Sequence, residues 1–147
     1  MNGFYPQGFG EVSYMYFPFS LFLLKLKTTM KLAVIGSRSF DNYTLLCGVL
    51  APYLPSITVI ISGAAKGADS LAKRWALEHQ KPLTEIIPDW KQYGRAAGPK
   101  RNTLIVDQAD AVIAFWDNSS KGTQHVINYC LKQNKKLIVV NTQHDKH

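Results

Sequence analysis

The chain has 147 residues and a formal charge of +7, with 46% hydrophobic and 18% charged residues. A chain of that length forms one domain whose core needs no disulfide or metal staple. The positive balance favours an acidic partner, but the cations are spread and only Lys100 and Arg101 stand together at a plausible site. This weighs against a nucleic-acid arm, which carries a block of like charges.

Residues 1–29 differ from the rest. They hold Tyr5, Tyr14, Tyr16, Phe17 and Phe19, then the apolar run Leu21 to Leu24, with Lys25 and Lys27 behind it. A signal peptide carries its charge before the apolar stretch, and a membrane span needs about 20 apolar residues uninterrupted by a residue such as Pro18. Residues 1–29 are therefore read as an N-terminal extension, poorly ordered or outside the domain, with the folded unit spanning residues 30–147 and no membrane partner. Cys47 and Cys130 have no CxxC spacing and no clustered histidine. They read as small core residues in a reducing, cytoplasmic setting, and no metal site is expected.

From Met30 onward, strand and helix patterns alternate. Lys31–Ile35, Ile57–Ile61, Leu83–Ile87, Ala111–Phe115 and Leu137–Val140 are short, continuous apolar runs of the kind found in parallel strands buried on both faces. Between them, Tyr43–Leu54, Ala68–His79, Pro99–Gln108 and Thr123–Gln133 read as helices. The alternation predicts an α/β fold, a Rossmann-like open parallel sheet of about five strands with helices on both faces. The tail from Gln143 to His147 is polar and reads as frayed.

In such a sheet, ligands bind beyond the carboxyl ends of the strands, so the loops there carry the argument. After the first run comes Gly36-Ser37-Arg38-Ser39-Phe40-Asp41. Gly36 permits a tight turn, Ser37 offers a hydroxyl, and Arg38 offers a planar fork for phosphate or carboxylate. After the second comes Ser62-Gly63-Ala64-Ala65-Lys66-Gly67-Ala68-Asp69, opening into a helix. Small residues allow backbone N–H groups to approach an anion at the positive end of a helix. Neither GxxxxGK[ST] nor GxGxxG is present, which argues against an ordinary P-loop or dinucleotide fold. Asp69 is expected either to cap the helix or to bond a ribose hydroxyl.

The long loop from Pro88 to Asn102 contains Trp90 and Tyr93 and ends at a helix start marked by Pro99, with Arg101 and Asn102 in the first turn. After the fourth run, Asp117 to Ser120 leads to Lys121, Gly122 and Thr123 at another helix start, followed by His125. Three small-residue or glycine-bearing helix starts, with Arg38, Arg101 and Lys121 among them, predict one convergent anion site.

Taken in order, MKLAVIGSRSF, SGAAKGAD, DWKQYGRAAGPKRN and FWDNSSKGTQH resemble the YspA-like, YpsA-related family of the SLOG superfamily across residues 30–141. The resemblance implies a Rossmann-like domain binding a nucleotide or nucleotide-derived ligand, with links to NAD or ADP-ribose chemistry. It names neither a substrate nor a cofactor. The superfamily also holds phosphoribohydrolases that release cytokinin bases, whose pattern is an RN element and a PGGxGTxxE loop. Arg101-Asn102 and Gly122-Thr123 match parts of it, but Val126 stands where the glutamate belongs. A valine cannot serve as a general base.

Three readings follow. The first is a sensor, or an enzyme of undefined reaction, binding a nucleotide-type small molecule of the NAD, ADP-ribose or mononucleotide kind. The second is an N-glycosidic hydrolase in which Asp69, Asp117 or His125 replaces the glutamate. The third is a single-stranded nucleic-acid binder using Arg38, Lys66, Lys100 and Lys121 on phosphates and Trp90 and Trp116 as stacking platforms. The sequence leaves a homo-oligomer open.

Overall fold

The computed structural model describes residues 13–16 and 29–143. The elements are β1 (Ser13–Tyr16), β2 (Met30–Gly36), α1 (Tyr43–Leu50), β3 (Ile57–Ser62), α2 (Ala68–Glu78), β4 (Leu83–Glu85), α3 (Trp90–Tyr93), α4 (Ala97–Gln108), β5 (Ala111–Trp116), α5 (Lys121–Lys132) and β6 (Lys136–Asn141). They form one six-stranded sheet in the order β1-β6-β5-β2-β3-β4. Strands β2 to β6 run parallel, in register from Leu32↔Ala111 to Gly36↔Phe115 across the central pair. This is the expected Rossmann-like sheet.

Alternation along each strand divides the core in two. Leu32 and Val34 face α1 and α2, with Leu46, Val49, Ala72 and Trp75 packed over them. Ala33 and Ile35 face the opposite way, against Ile105 and Val106 of α4 and Val126, Ile127 and Cys130 of α5. Both faces of the sheet are thereby covered, which is why its strands read as unbroken apolar runs. Cys47 packs on the first face and buried Cys130 on the second, and both are free thiols. Burial pushes the Cys130 thiol up to about 12, so it behaves as a core methyl-sized group.

The boundaries differ from the sequence reading in ways that have local causes. The helix expected over Tyr43–Leu54 ends at Leu50, and Ala51–Ser56, which contains Pro52 and Pro55, winds as a 3-10 turn instead. Helix α4 begins at Ala97 rather than Pro99, because proline is tolerated in the first turn, where its missing N–H has no partner in any case. The strand expected to reach Ile87 stops at Glu85. Within the extension, Ser13–Tyr16 pairs antiparallel with β6 from Ser13↔Asn141 to Tyr16↔Ile138, a strand that the sequence did not announce. The other expectations for residues 1–29, and the frayed tail beyond Gln143, fall outside the described residues.

Candidate functional site

Strand β2 continues to β3 on one side, while β5 lies on its other side, so the winding reverses between β2 and β5. Loops leaving two such strands diverge and open a crevice. Here the crevice is a cleft of about 380 Å³, within the range of roughly 300–1,000 Å³ common to small-ligand sites.

The first wall is the turn after β2. A side chain on Gly36 would strike the carbonyl oxygen of Phe115 and lie 2.8 Å from Ala68 Cβ, so only glycine lets β2, β5 and α2 meet. Ser37 is buried behind the cleft and acts as a clamp: its hydroxyl accepts from Asp117 N–H at 3.1 Å, and its carbonyl accepts from Phe40 N–H and Ala68 N–H. The neighbouring Arg38 and Ser39 are exposed and line the cleft. The Arg38 side chain makes no hydrogen bond or ion pair with another described residue.

The second wall is the segment between β3 and α2. Gly67 has φ +76, and a side chain there would meet the carbonyls of Ser37 and Arg38. Asp69, 6% exposed, neither caps α2 nor stands open. The N-cap is Gly67, without a side-chain bond, and Asp69 Oδ2 instead accepts from Ala65 N–H at 3.0 Å, bracing the loop from inside. Burial pushes the Asp69 carboxyl up, while the Ala65 N–H and the Arg101 guanidinium oppose that shift. Within this segment, Ala65 and Asp69 line the cleft; Ser62 and Gly63 are buried outside the lining, Gly67 is half-buried, and Ala64 and Lys66 are exposed outside it.

Arg101 crosses from α4 to that wall. Its Nη1 donates to Gly63 O at 2.5 Å and to Ile86 O at 3.5 Å, and its Nε donates to Asn102 Oδ1 at 2.9 Å. Burial and the like charge of Arg38 lower its pKa, against the pull of Asp69. Asn102 Nδ2 in turn donates to Gly122 O at 3.5 Å, tying α4 to the start of α5. Arg101 is therefore mainly a brace between the loops after β3 and β4, whereas Arg38 is the open cation of the cleft.

The third wall follows β5. Asp117 Oδ1 accepts from Ser119 N–H at 2.9 Å and Ser120 N–H at 2.8 Å. Burial opposes its ionisation, but these N–H groups and the hydroxyls of Ser37 and Ser119 outweigh burial and hold the carboxyl well below the usual range. Ser120 caps α5 through Thr123 N–H, and its carbonyl accepts from Trp116 Nε1 at 3.1 Å. Gly122 and Thr123 line the cleft, while Lys121 is exposed outside it. Ile35, Ile105 and Val126 complete the lining as apolar side chains.

Of the residues singled out from the sequence for the anion site, Gly36, Arg38, Asp69, Arg101, Asn102, Gly122 and Thr123 thus share the cleft. Ser39 and Ala65 join them from loops the sequence had marked, Ser120 and the apolar residues join them unselected, and so does Asp117, which the sequence offered only as a replacement acid. Its signature was the Asp-Asn-Ser-Ser run, in which an aspartate bonds backbone N–H groups two and three residues on. His125 lies outside the lining, with its Nδ1 buried and lacking a hydrogen-bond partner among the described residues. Of the two proposed stacking tryptophans, Trp90 is 57% exposed, whereas Trp116 is half-buried and bonded.

Fold and cleft together define an α/β domain of Rossmann-like topology with a polar crevice at the strand-order reversal. The sequence model of YAcAr, the YspA, cpYpsA-related SLOG family, matches residues 30–93, from β2 through α3. Gene 61 protein of Mycobacterium phage D29 is 32% identical over 115 residues, covering 72% of this chain and 89% of that protein. The chain belongs to the YspA, cpYpsA-related SLOG family. No solved structure gives a significant match. Among the described residues, no helix is long and apolar enough to cross a membrane, and no group of His, Cys, Asp and Glu could hold a metal ion.

Proposed function

We propose that the domain binds a nucleotide or nucleotide-derived phosphate ligand, of the mononucleotide or ADP-ribose kind, in the cleft between β2 and β5. The observation that carries this reading is Arg38, a guanidinium with no ion pair or hydrogen bond to any other described residue, on the lip of a preformed crevice that also receives the first turn of α5. Gly122 leaves open space where a side chain would stand, so the backbone at that helix start is accessible to an anion. The apolar side chains of Ile35, Ile105 and Val126 suit the face of a sugar or base. Family membership points the same way. The free thiols on opposite faces of the sheet fit a cytoplasmic setting.

Val126 bears on the reaction. The position that carries a glutamate in the phosphoribohydrolase pattern here presents buried methyl groups to the cleft. Binding without glycosidic cleavage is therefore the reading we favour over hydrolysis. Native mass spectrometry of the full chain purified from cells tests the proposal: a bound phosphorylated nucleoside supports it. A protein that retains nothing, and that gives no saturable heat with AMP, ADP-ribose or NAD, overturns it.

A further inference from the structure

We infer that the ligand enters the cleft nucleoside first and carries at least two phosphates, the first on Arg38 and the second at the mouth, between Lys66 and Lys121. This rests on the nucleotide reading above and deepens it by assigning the ligand's orientation, its number of phosphates and two contact residues.

The charges of the cleft are sorted by depth. Its buried lining residues are Ile35, Asp69, Ile105, Asp117, Thr123 and Val126, each at most 9% exposed. The Asp117 carboxylate is enclosed by donors, the Ser119 and Ser120 N–H groups and the Ser37 and Ser119 hydroxyls, which hold it ionised. Its acceptor sites are taken, but its charge still repels an anion. Asp69 accepts from Ala65 N–H, and the cation beside it, Arg101, is committed to the carbonyls of Gly63 and Ile86 and to Asn102 Oδ1. The floor is therefore apolar or negative and leaves no cation for a phosphate, whereas Ile35, Ile105 and Val126 suit a base or the face of a sugar.

The mouth has the reverse character. Arg38 is exposed on the first wall. Lys66 follows Ala65, which lines the second wall, and precedes Gly67, whose missing side chain admits the carbonyls of Ser37 and Arg38. Lys121 stands between Ser120 and Gly122, which both line the third wall. Consecutive Cα atoms are about 3.8 Å apart, so both lysines are rooted at the edge of the cleft. Both are exposed, and like Arg38 neither side chain makes a hydrogen bond or ion pair with another described residue. A lysine ammonium rides on a flexible four-carbon stem and can turn over the opening. The first turn of α5 adds the positive end of a helix at Gly122. One phosphate monoester carries a charge of about −1.5 to −2 at pH 7, less than the three cations at the mouth supply. A second phosphate, pointing outward from the first, still meets positive charge.

Calorimetric titration of the full chain with AMP, ADP and ADP-ribose is the test. An exposed ion pair makes up to about a fivefold difference, so wild type should bind ADP and ADP-ribose about fivefold more tightly than AMP. The double variant Lys66→Ala/Lys121→Ala should bring that ratio close to one while AMP, held by Arg38, binds nearly as before. Removing two exposed side chains that bond to no described residue leaves the fold in place, which circular dichroism checks. The control pair is Lys31→Ala/Lys132→Ala, which removes the same charge from exposed positions at the amino end of β2 and the last turn of α5; it should keep the wild-type ratio. AMP bound more tightly than ADP and ADP-ribose would place the phosphate inward and overturn the inference while leaving the nucleotide reading intact. A ratio that survives in Lys66→Ala/Lys121→Ala, or that falls equally in the control pair, also overturns it, the latter because the cations would then act only as a diffuse field. Absence of binding by all three nucleotides would overturn the underlying reading itself.

Discussion

Replacing Arg101 with alanine should cost fold stability before it costs any direct ligand contact. The substitution removes a charged donor from Gly63 O at 2.5 Å, leaving a buried backbone carbonyl without that partner. It also removes the cation facing Asp69, which is 6% exposed, so the Asp69 carboxyl rises further. A hydrogen bond from a charged group contributes about 1.5–3 kcal/mol, and breaking a fully buried ion pair costs about 3–5 kcal/mol. Because Arg101 is half-buried, we expect about 2–4 kcal/mol, a large share of the roughly 5–15 kcal/mol that stabilises a domain. In urea, with a slope of about 1–3 kcal/mol/M, the midpoint should fall by about 1–2 M. Lys100→Ala is the control: its ammonium lies 4.6 Å over the exposed Tyr93 ring, an interaction contributing about 0.5–1 kcal/mol. Arg101→Lys keeps the charge but loses the planar fork and should fall between them. An Arg101→Ala midpoint indistinguishable from that of Lys100→Ala would refute the brace and return Arg101 to the role of a ligand clamp.

Gly36→Ala should destabilise by about 1–3 kcal/mol through overpacking, since its Cβ would lie 2.8 Å from Ala68 Cβ and 2.9 Å from Phe115 Cβ; thermal unfolding followed by circular dichroism measures the loss. Asp117 should dominate the acid limb of stability. Its folded carboxyl lies below the ordinary 3.8, so its contribution is complete above that value and is lost as pH falls through it toward the folded value. Asp69 has the opposite sign: its contribution is present below 3.8 and is lost as pH rises through its raised folded value. Asp117→Asn should therefore flatten the drop in urea midpoint below about pH 4, whereas an unchanged drop would contradict its assignment. A chain beginning at Met30 should fold, with the same near-ultraviolet dichroism, but should self-associate more in light scattering, because removing β1 leaves the β6 edge unpaired.

The parallel core was legible because the central strands are apolar on both faces, and α2 and α5 follow turns of small residues. Leu32 to Ile35 and Val112 to Phe115 need no alternation when helices cover both sides of the sheet. Strand β1 was illegible because Ser13–Tyr16 earns its place through backbone pairing with β6, not through a pattern of its own. The short helix α3 depends on one cap, Asp89 accepting from Gln92 N–H at 3.0 Å, between Pro88 and Gly94. At the site, the sequence placed the loops at strand ends but could not separate cations by task. Arg38 and Arg101 look alike as residues; only the fold turns one toward the Gly63 carbonyl and leaves the other on the lip. Lys66 and Lys121 follow the same small-residue pattern yet lie outside the cleft lining.

The measurement closest to the central claim is a pair of titrations, wild type and Arg38→Ala, with AMP and with ADP-ribose, alongside a single-stranded oligonucleotide over a range of salt. The account predicts one saturable small-ligand site, weakened about tenfold to a hundredfold when the Arg38 guanidinium is removed. An oligonucleotide bound far more tightly than either small ligand, with steep loss as salt rises, or an Arg38→Ala variant that binds as wild type does, would contradict it.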